Sequence, residues 1–219
     1  MLYKKTINAL LAVFALMGVI NLSHAESPLT GNIGFNSNYI WRGVTQTGDD
    51  SAISGGVDYA HASGFYAGTW VSSLGGSNYE NDLYAGYGFK YKEIGLDVGY
   101  IAYRYPVGNN NADFSEIYVN ASFKMLGFGM AYTIDKDAAG PDNDIYLYIG
   151  ADFEIAKSLN LNLLYGSYDF DNGAIEDYAH IHASLSKDDF TFAIDDNDLQ
   201  GAAGDTRISV SYSKTFDLM

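Results

Sequence analysis

Apolar and polar side chains alternate one for one in segment after segment of this chain. Leu83, Ala85, Tyr87 and Phe89 oppose Asp82, Tyr84 and Lys90, and Leu96, Val98 and Tyr100 oppose Asp97 and Tyr103. Ile117, Val119, Ala121 and Phe123 oppose Glu116, Asn120, Ser122 and Lys124. Ile145, Leu147, Ile149, Ala151, Phe153 and Ile155 oppose Tyr146, Tyr148, Asp152 and Glu154. Leu159, Leu161 and Leu163 oppose Asn160 and Asn162; Ala179, Ile181, Ala183 and Leu185 oppose His180, His182, Ser184 and Ser186. Ile208, Val210, Tyr212 and Phe216 end the chain in the same manner. Successive side chains of a strand point to opposite faces, so a period of two means strands with one apolar and one polar side. In "NSNYIWRGVTQTGDD", Ile33, Phe35, Tyr39 and Trp41 share the apolar side, while Asn32, Asn36, Asn38 and Arg42 share the polar one. Trp41 and its neighbour Arg42 are thus expected to face different media.

With weaker segments at 51–61, 65–74, 127–134 and 190–195 the set comes to twelve strands. Most are about ten residues long, the length of a tilted strand crossing a bilayer. The connections alternate as well. "ASG", "KEIG", "ML", "AKS" and "KDD" are tight, whereas "PVGNNNADF", "KDAAGPDN" and "DDNDLQGAAGD" are long and rich in Gly, Asn and Asp. Short turns at one end and long loops at the other predict an all-β fold, a transmembrane antiparallel β-barrel of about 12 strands with N and C termini periplasmic. The aromatic residues of the apolar side fall in two groups. Phe35, Phe89, Tyr91, Phe123, Phe128, Phe153, Phe190 and Phe216 lie toward the short turns; Trp41, Tyr100, Tyr132 and Tyr165 lie toward the loops. Two such belts suit two membrane interfaces, and a secreted soluble sandwich or barrel has no need of them. The membrane-interface aromatics singled out are Trp41, Phe89, Phe123, Phe153 and Phe216.

Residues 1–25 carry Lys4 and Lys5, an apolar run from Ile7 to Ile20, and Ser23 and Ala25 ahead of a cleavage site. This is the pattern of a secretory signal peptide, and the apolar run is short for a membrane anchor. Residues 26–219 would then form the barrel. Without the two leader lysines, 27 acidic residues face ten basic ones, a formal charge of -17. So acidic a chain lacks the clustered cations that nucleic acid requires. It has no cysteine, which excludes disulfides and thiolate metal sites.

The stretches "NYIWRGVTQT", "SGGVDYAHASGFYAGTWVSS", "YENDLYAGY" and the terminal "TRISVSYSKTF" resemble the TorF-type candidate porins, bacterial proteins filed as conserved and uncharacterised under a Gcw label. The resemblance is dense over 34–100 and 206–216 and thin between. It implies an outer-membrane barrel of a Gram-negative bacterium, with a channel role. Members usually end on the aromatic of "SKTF"; here Asp217, Leu218 and Met219 follow Phe216.

Motifs for other chemistry are missing. There is no H-E-x-x-H, P-loop or G-x-G-x-x-G. Asp196, Asp198 and Gly201 copy half of a calcium-loop spacing, but its twelfth position is Arg207. No metal or other cofactor is expected. His182 and Ser184 lie two apart on one strand face, as an imidazole activating a hydroxyl would. Outer-membrane phospholipase A uses a pair so spaced on its lipid-facing side, whereas Ala179, Ile181, Ala183 and Leu185 claim that side here. The chain is therefore not expected to be an enzyme.

The predicted pore lining consists of Arg42, Asp58, Asp82, Lys90, Asp97, Glu116, Lys124, Tyr146, Tyr148, Asp152, Glu154, His180 and His182. With Asp195, seven carboxylates face Arg42, Lys90 and Lys124. The function expected is passive diffusion of small hydrophilic solutes or ions, with cations preferred. Two other readings remain open: a structural or binding barrel with a plugged lumen, and a lipid-active enzyme. Membrane lipid and lipopolysaccharide are the expected surroundings; composition says nothing of oligomeric state.

Overall fold

The computed structural model describes residues 28–107 and 112–219. The expected leader, residues 1–25, lies outside them. Twelve strands close into one barrel: β1 (Leu29–Asn36), β4 (Ala52–Ala60), β5 (Phe65–Ser73), β6 (Tyr79–Tyr91), β7 (Ile94–Arg104), β8 (Phe114–Phe123), β9 (Leu126–Lys136), β10 (Ile145–Ala156), β11 (Leu159–Asp169), β12 (Tyr178–Lys187), β13 (Phe190–Asn197) and β14 (Arg207–Asp217). Two further strands, β2 (Ile40–Trp41) and β3 (Val44–Thr45), pair only with each other. Each barrel strand is antiparallel to its neighbours. The first and last seal the cylinder through pairs such as Gly31↔Phe216 and Phe35↔Tyr212. A closed sheet leaves no row of unpaired backbone groups, the condition for spanning lipid with strands.

The pleat turns the sequence alternation into two surfaces. Ile33, Leu83, Ile181 and Ile208 are each more than half exposed on the outside. Tyr103, Glu116, Asp82 and Thr133 are almost fully buried within. An apolar exterior around a polar interior inverts the soluble barrel and matches a barrel in lipid.

Two-residue turns at 92–93, 124–125, 157–158 and 188–189 join strands at one end, where both termini of the barrel also lie. In the fifth connection at this end Gly64 has φ 103°, and a Cβ there would sit 2.2 Å from the Gly88 carbonyl oxygen, so the position admits only glycine. The opposite end carries the longer connections.

One expected strand is broken. β1 stops at Asn36, and the chain turns into the barrel instead of running on through Trp41. The seal is Ser37, whose N–H donates to the Val210 carbonyl at 2.9 Å and whose hydroxyl accepts from the Val210 N–H at 2.9 Å.

Candidate functional site: a lumen crossed by a hairpin

The inserted segment is a minimal hairpin, with Ile40 paired to Thr45 and Trp41 to Val44. Its two central residues, Arg42 and Gly43, have φ 47° and 80°. A two-residue turn with both φ values positive matches the twist of its strands, and glycine or asparagine usually fills it. Arginine in the left-handed region costs about 1 kcal/mol, so its presence at the tip calls for compensation from its side chain. Gly43 has no substitute, because a Cβ there would meet the Cβ of His180 at 2.5 Å. The stem is laced internally. Asn38 Oδ1 accepts from the hydroxyls of Thr45 at 2.6 Å and Thr47 at 3.1 Å, and Asn38 Nδ2 donates to Asp49 at 2.8 Å.

The compensation for Arg42 is a two-point ion pair. Its guanidinium donates to both carboxylate oxygens of Glu116 on β8, at 2.8 and 2.7 Å, with both side chains buried. It also lies over the rings of Tyr146, Trp41 and Tyr168, at 4.1, 4.2 and 4.8 Å from their centres. Paired planar geometry is what lets arginine remain charged away from water. Beside this pair the register of β8 and β9 shifts between Ser115 and Glu116, a local irregularity of the kind that re-aims side chains.

The rest of the hairpin reaches the wall all round. The Tyr39 hydroxyl donates to Glu80 of β6 at 2.7 Å, and its ring meets Trp70 of β5 edge-on at 5.5 Å. Trp41 packs edge-on against Tyr103, Phe114 and Tyr168 of β7, β8 and β11. Asn197 of β13 donates to the Gly43 carbonyl at 2.8 Å, and Arg207 of β14 donates to Asp49 at 2.7 Å. The Arg207 hydrogen bond, helped by Asn38, holds the Asp49 carboxyl below the usual carboxylate range. Contacts from β5 round to β14 mean that the hairpin spans the bore.

These positions correct two expectations. Trp41 lies inside the barrel, half-buried among lumen aromatics, and not at a lipid interface. The alternation that placed it outside belongs to the hairpin, whose faces are independent of the wall. Lys124 lines no pore: it sits in a turn at φ 54° with its ammonium 5.1 Å from the ring centre of Phe123. Lys90 and Glu154 are on the inward side but at the short-turn rim, where both are exposed; Glu154 accepts the Ser158 N–H at 3.3 Å. Phe89, Phe123, Phe153 and Phe216 are exposed on the outer surface near the short-turn end.

The other predicted lumen residues face inward, and neighbouring strands pair them. Asp58 accepts from Tyr84 and, at 3.1 Å, from Asn32. Asp97 accepts from Tyr66 at 2.7 Å and Asn120 at 3.1 Å, and Tyr148 donates to Asn120 in turn at 3.1 Å. Asn162 donates to Asp152 at 2.8 Å, and Tyr146 meets His180 Nε2 at 2.9 Å. Asp82 is buried with one oxygen unpartnered. His182 Nδ1 is 2.8 Å from Asp195 Oδ1, while His182 Nε2 and the Ser184 hydroxyl are both without hydrogen-bond partners, so the suspected pair is not joined.

A further regularity concerns the space these tyrosines occupy. Tyr84, Tyr118 and Tyr148 lie over the inward glycines paired with them on the next strand, Gly68, Gly99 and Gly129. A Cβ at those glycines would fall 2.5, 2.3 and 2.0 Å from the rings or hydroxyls.

Sequence reasoning missed Glu80, Arg207 and Tyr66. Glu80 and Arg207 sit at the loop-side ends of strands whose predicted limits fell just short of them, and Tyr66 belongs to a weakly patterned strand.

A family model described as a bacterial protein of unknown function (Gcw_chp) matches residues 23–205. A search of curated proteins found no match. Among solved structures, the KdgM porin is similar at TM-score 0.57 and 11% identity, over 86% of this chain and 98% of that one. A structure of the KdgM porin in complex with disordered oligogalacturonate aligns at TM-score 0.57 and 8% identity, over 87% and 99%. The NanC porin aligns at TM-score 0.55 and 14% identity, over 87% of this chain and 100% of that one. At such identities the likeness is one of fold: a twelve-stranded barrel of the outer-membrane porin type.

Proposed function

The chain belongs to the Gcw_chp family of bacterial proteins, and from that premise we propose that it is a cation-preferring, porin-like channel of the Gram-negative outer membrane. The earlier resemblance to TorF-type porins agrees with this reading. Residues 1–25 act as its signal peptide, and the short turns and both termini face the periplasm. Lipid and lipopolysaccharide surround its apolar exterior. The observation that carries the reading is the charge of the inner wall below the hairpin. Asp58, Asp97 and Asp152 point inward there from β4, β7 and β10, and Glu154 and Lys90 follow, exposed, at the short-turn rim. Carboxylates around a bore favour passage of cations. Oligogalacturonate, recorded with the KdgM porin, is a polyanion, and a wall of this sign suits the opposite class of solute. The hairpin sets the narrowest point.

That hairpin also supports a second reading, a closed barrel with structural or binding duties, because its contacts run nearly round the bore. Planar-bilayer recording separates the two. The channel reading expects potassium to pass in preference to chloride through the wild-type protein, and more current when residues 39–47 are replaced by a short glycine linker. Current only after that replacement would favour the plugged barrel. No current from either folded protein, or a chloride preference, would overturn the channel.

A further inference from the structure

At the long-loop end, beside the hairpin, lies a pocket of about 420 Å3. Trp41 and Val44 line it from the hairpin, and Phe114, Tyr168, Phe170 and Tyr178 from the wall and loops. Its volume lies within the ~300–1,000 Å3 of small-molecule sites, enough for one ring-sized compound. We propose that this pocket binds organic cations, small amines or quaternary ammonium compounds with an aromatic or aliphatic body, before they enter the lumen.

Two independent features select that class. The first is the lining itself, since the faces of tryptophan, tyrosine and phenylalanine attract cations and also cover apolar surface. The protein already uses two of these rings in this way, with the Arg42 guanidinium 4.2 Å from the Trp41 centre and 4.8 Å from that of Tyr168. The second is charge. Among the described residues the pocket's one lining cation, Lys136, is held by Asp144 at 2.7 Å with both side chains buried. Asp113 and Glu176 remain. Asp113 has Arg104 at a long 3.7 Å, and Glu176 is exposed, with no second lining cation among the described residues to neutralise it. An organic anion would meet this residual negative charge, and a neutral ring would gain nothing from it. A bare alkali ion would gain little from apolar walls. The inference names a solute for the proposed channel and rests on that reading for the step after binding.

The test exploits the presence of two tryptophans, Trp41 and Trp70. In a Trp70→Phe background, fluorescence reports Trp41 alone. Folded protein in detergent micelles is titrated with benzyltrimethylammonium, phenylacetate and benzyl alcohol. The cation should give a saturable change, with the anion and alcohol roughly tenfold weaker or worse. Phe170→Leu and Glu176→Gln, both outside the hairpin, should each weaken cation binding several-fold. Equal responses to all three probes, tighter phenylacetate, or no effect of either substitution would overturn the pocket. Because binding is read without current, the two proposals fail separately. Saturable cation binding by a protein that carries no current overturns the channel only. Potassium-selective current without such binding overturns the pocket only.

Discussion

Arg42 and Glu116 are 74 positions apart in the chain, yet meet in a two-point ion pair inside the barrel. The pair fixes the tip of the segment that crosses the bore, and it compensates an arginine held at φ 47°. Removing one partner leaves the other charge buried and uncompensated, which typically costs about 3–5 kcal/mol. Arg42→Ala should therefore release the hairpin, raise single-channel conductance and strengthen potassium preference, since both bulk and positive charge are lost. Arg42→Lys should also loosen the hairpin, because an ammonium cannot reproduce the fork, but it keeps the charge and should raise conductance less and leave the potassium preference nearly unchanged. Conductance recordings of both variants check this; unchanged current in each would show that the pair serves stability alone.

The base of the hairpin should respond to acid. Asp49 has a folded-state carboxyl depressed by Arg207. Its contribution is complete above the ordinary aspartate value of about 3.9 and is lost as pH falls through the lower folded value. The part of any Trp41 fluorescence change that belongs to Asp49, read in a Trp70→Phe background, should thus fall below about pH 4. With Asp49→Asn that transition should vanish. A transition of the same midpoint in the Asn variant would assign it to another titrating group.

Glycine placement on the inner wall makes a stability prediction. Gly99→Ala drives a methyl to within 2.3 Å of the Tyr118 hydroxyl, and such overpacking typically costs about 1–3 kcal/mol. Gly127→Ala, with no atom within 4 Å of the new carbon, should be close to neutral. Denaturant unfolding in detergent compares them. Equal losses would mean that backbone effects of glycine outweigh the contact with tyrosine.

These cases mark how far the sequence could be read. Strand faces were legible because the period of two is local, and so the inward positions of Asp58, Asp97, Tyr148 and His182 followed from parity. What depends on register was not. The seating of Tyr118 on Gly99 requires knowing which residues pair across strands, and a shift of one position would undo it. The hairpin hid for a different reason. Tyr39 and Trp41 continue the parity of Ile33 and Phe35, so alternation ran smoothly over a break that only Ser37, Asn38 and Gly43 signalled. Lys124 looked inward on parity too, but it occupies one of only two residues joining β8 to β9.

The orientation of the barrel gives the last expectation. Connections at one end are mostly two residues long, while those at the other reach the fifteen residues that contain the hairpin. In outer-membrane barrels short turns face the periplasm and long loops the exterior. An epitope inserted at Gly140, between β9 and β10, should then bind antibody on intact cells, and one at Ser63, between β4 and β5, should bind only after the outer membrane is opened. Gly140 and Ser63 are exposed, so neither insertion need disturb the packed lumen. The protein should also migrate differently on gels when boiled and unboiled, since a sealed β1–β14 seam leaves no edge from which to unravel. That shift serves as the folding control for both insertions. With it intact, labelling at Ser63 on unbroken cells would invert the barrel, move the pocket to the periplasmic mouth, and turn the hairpin into a constriction on the exit side.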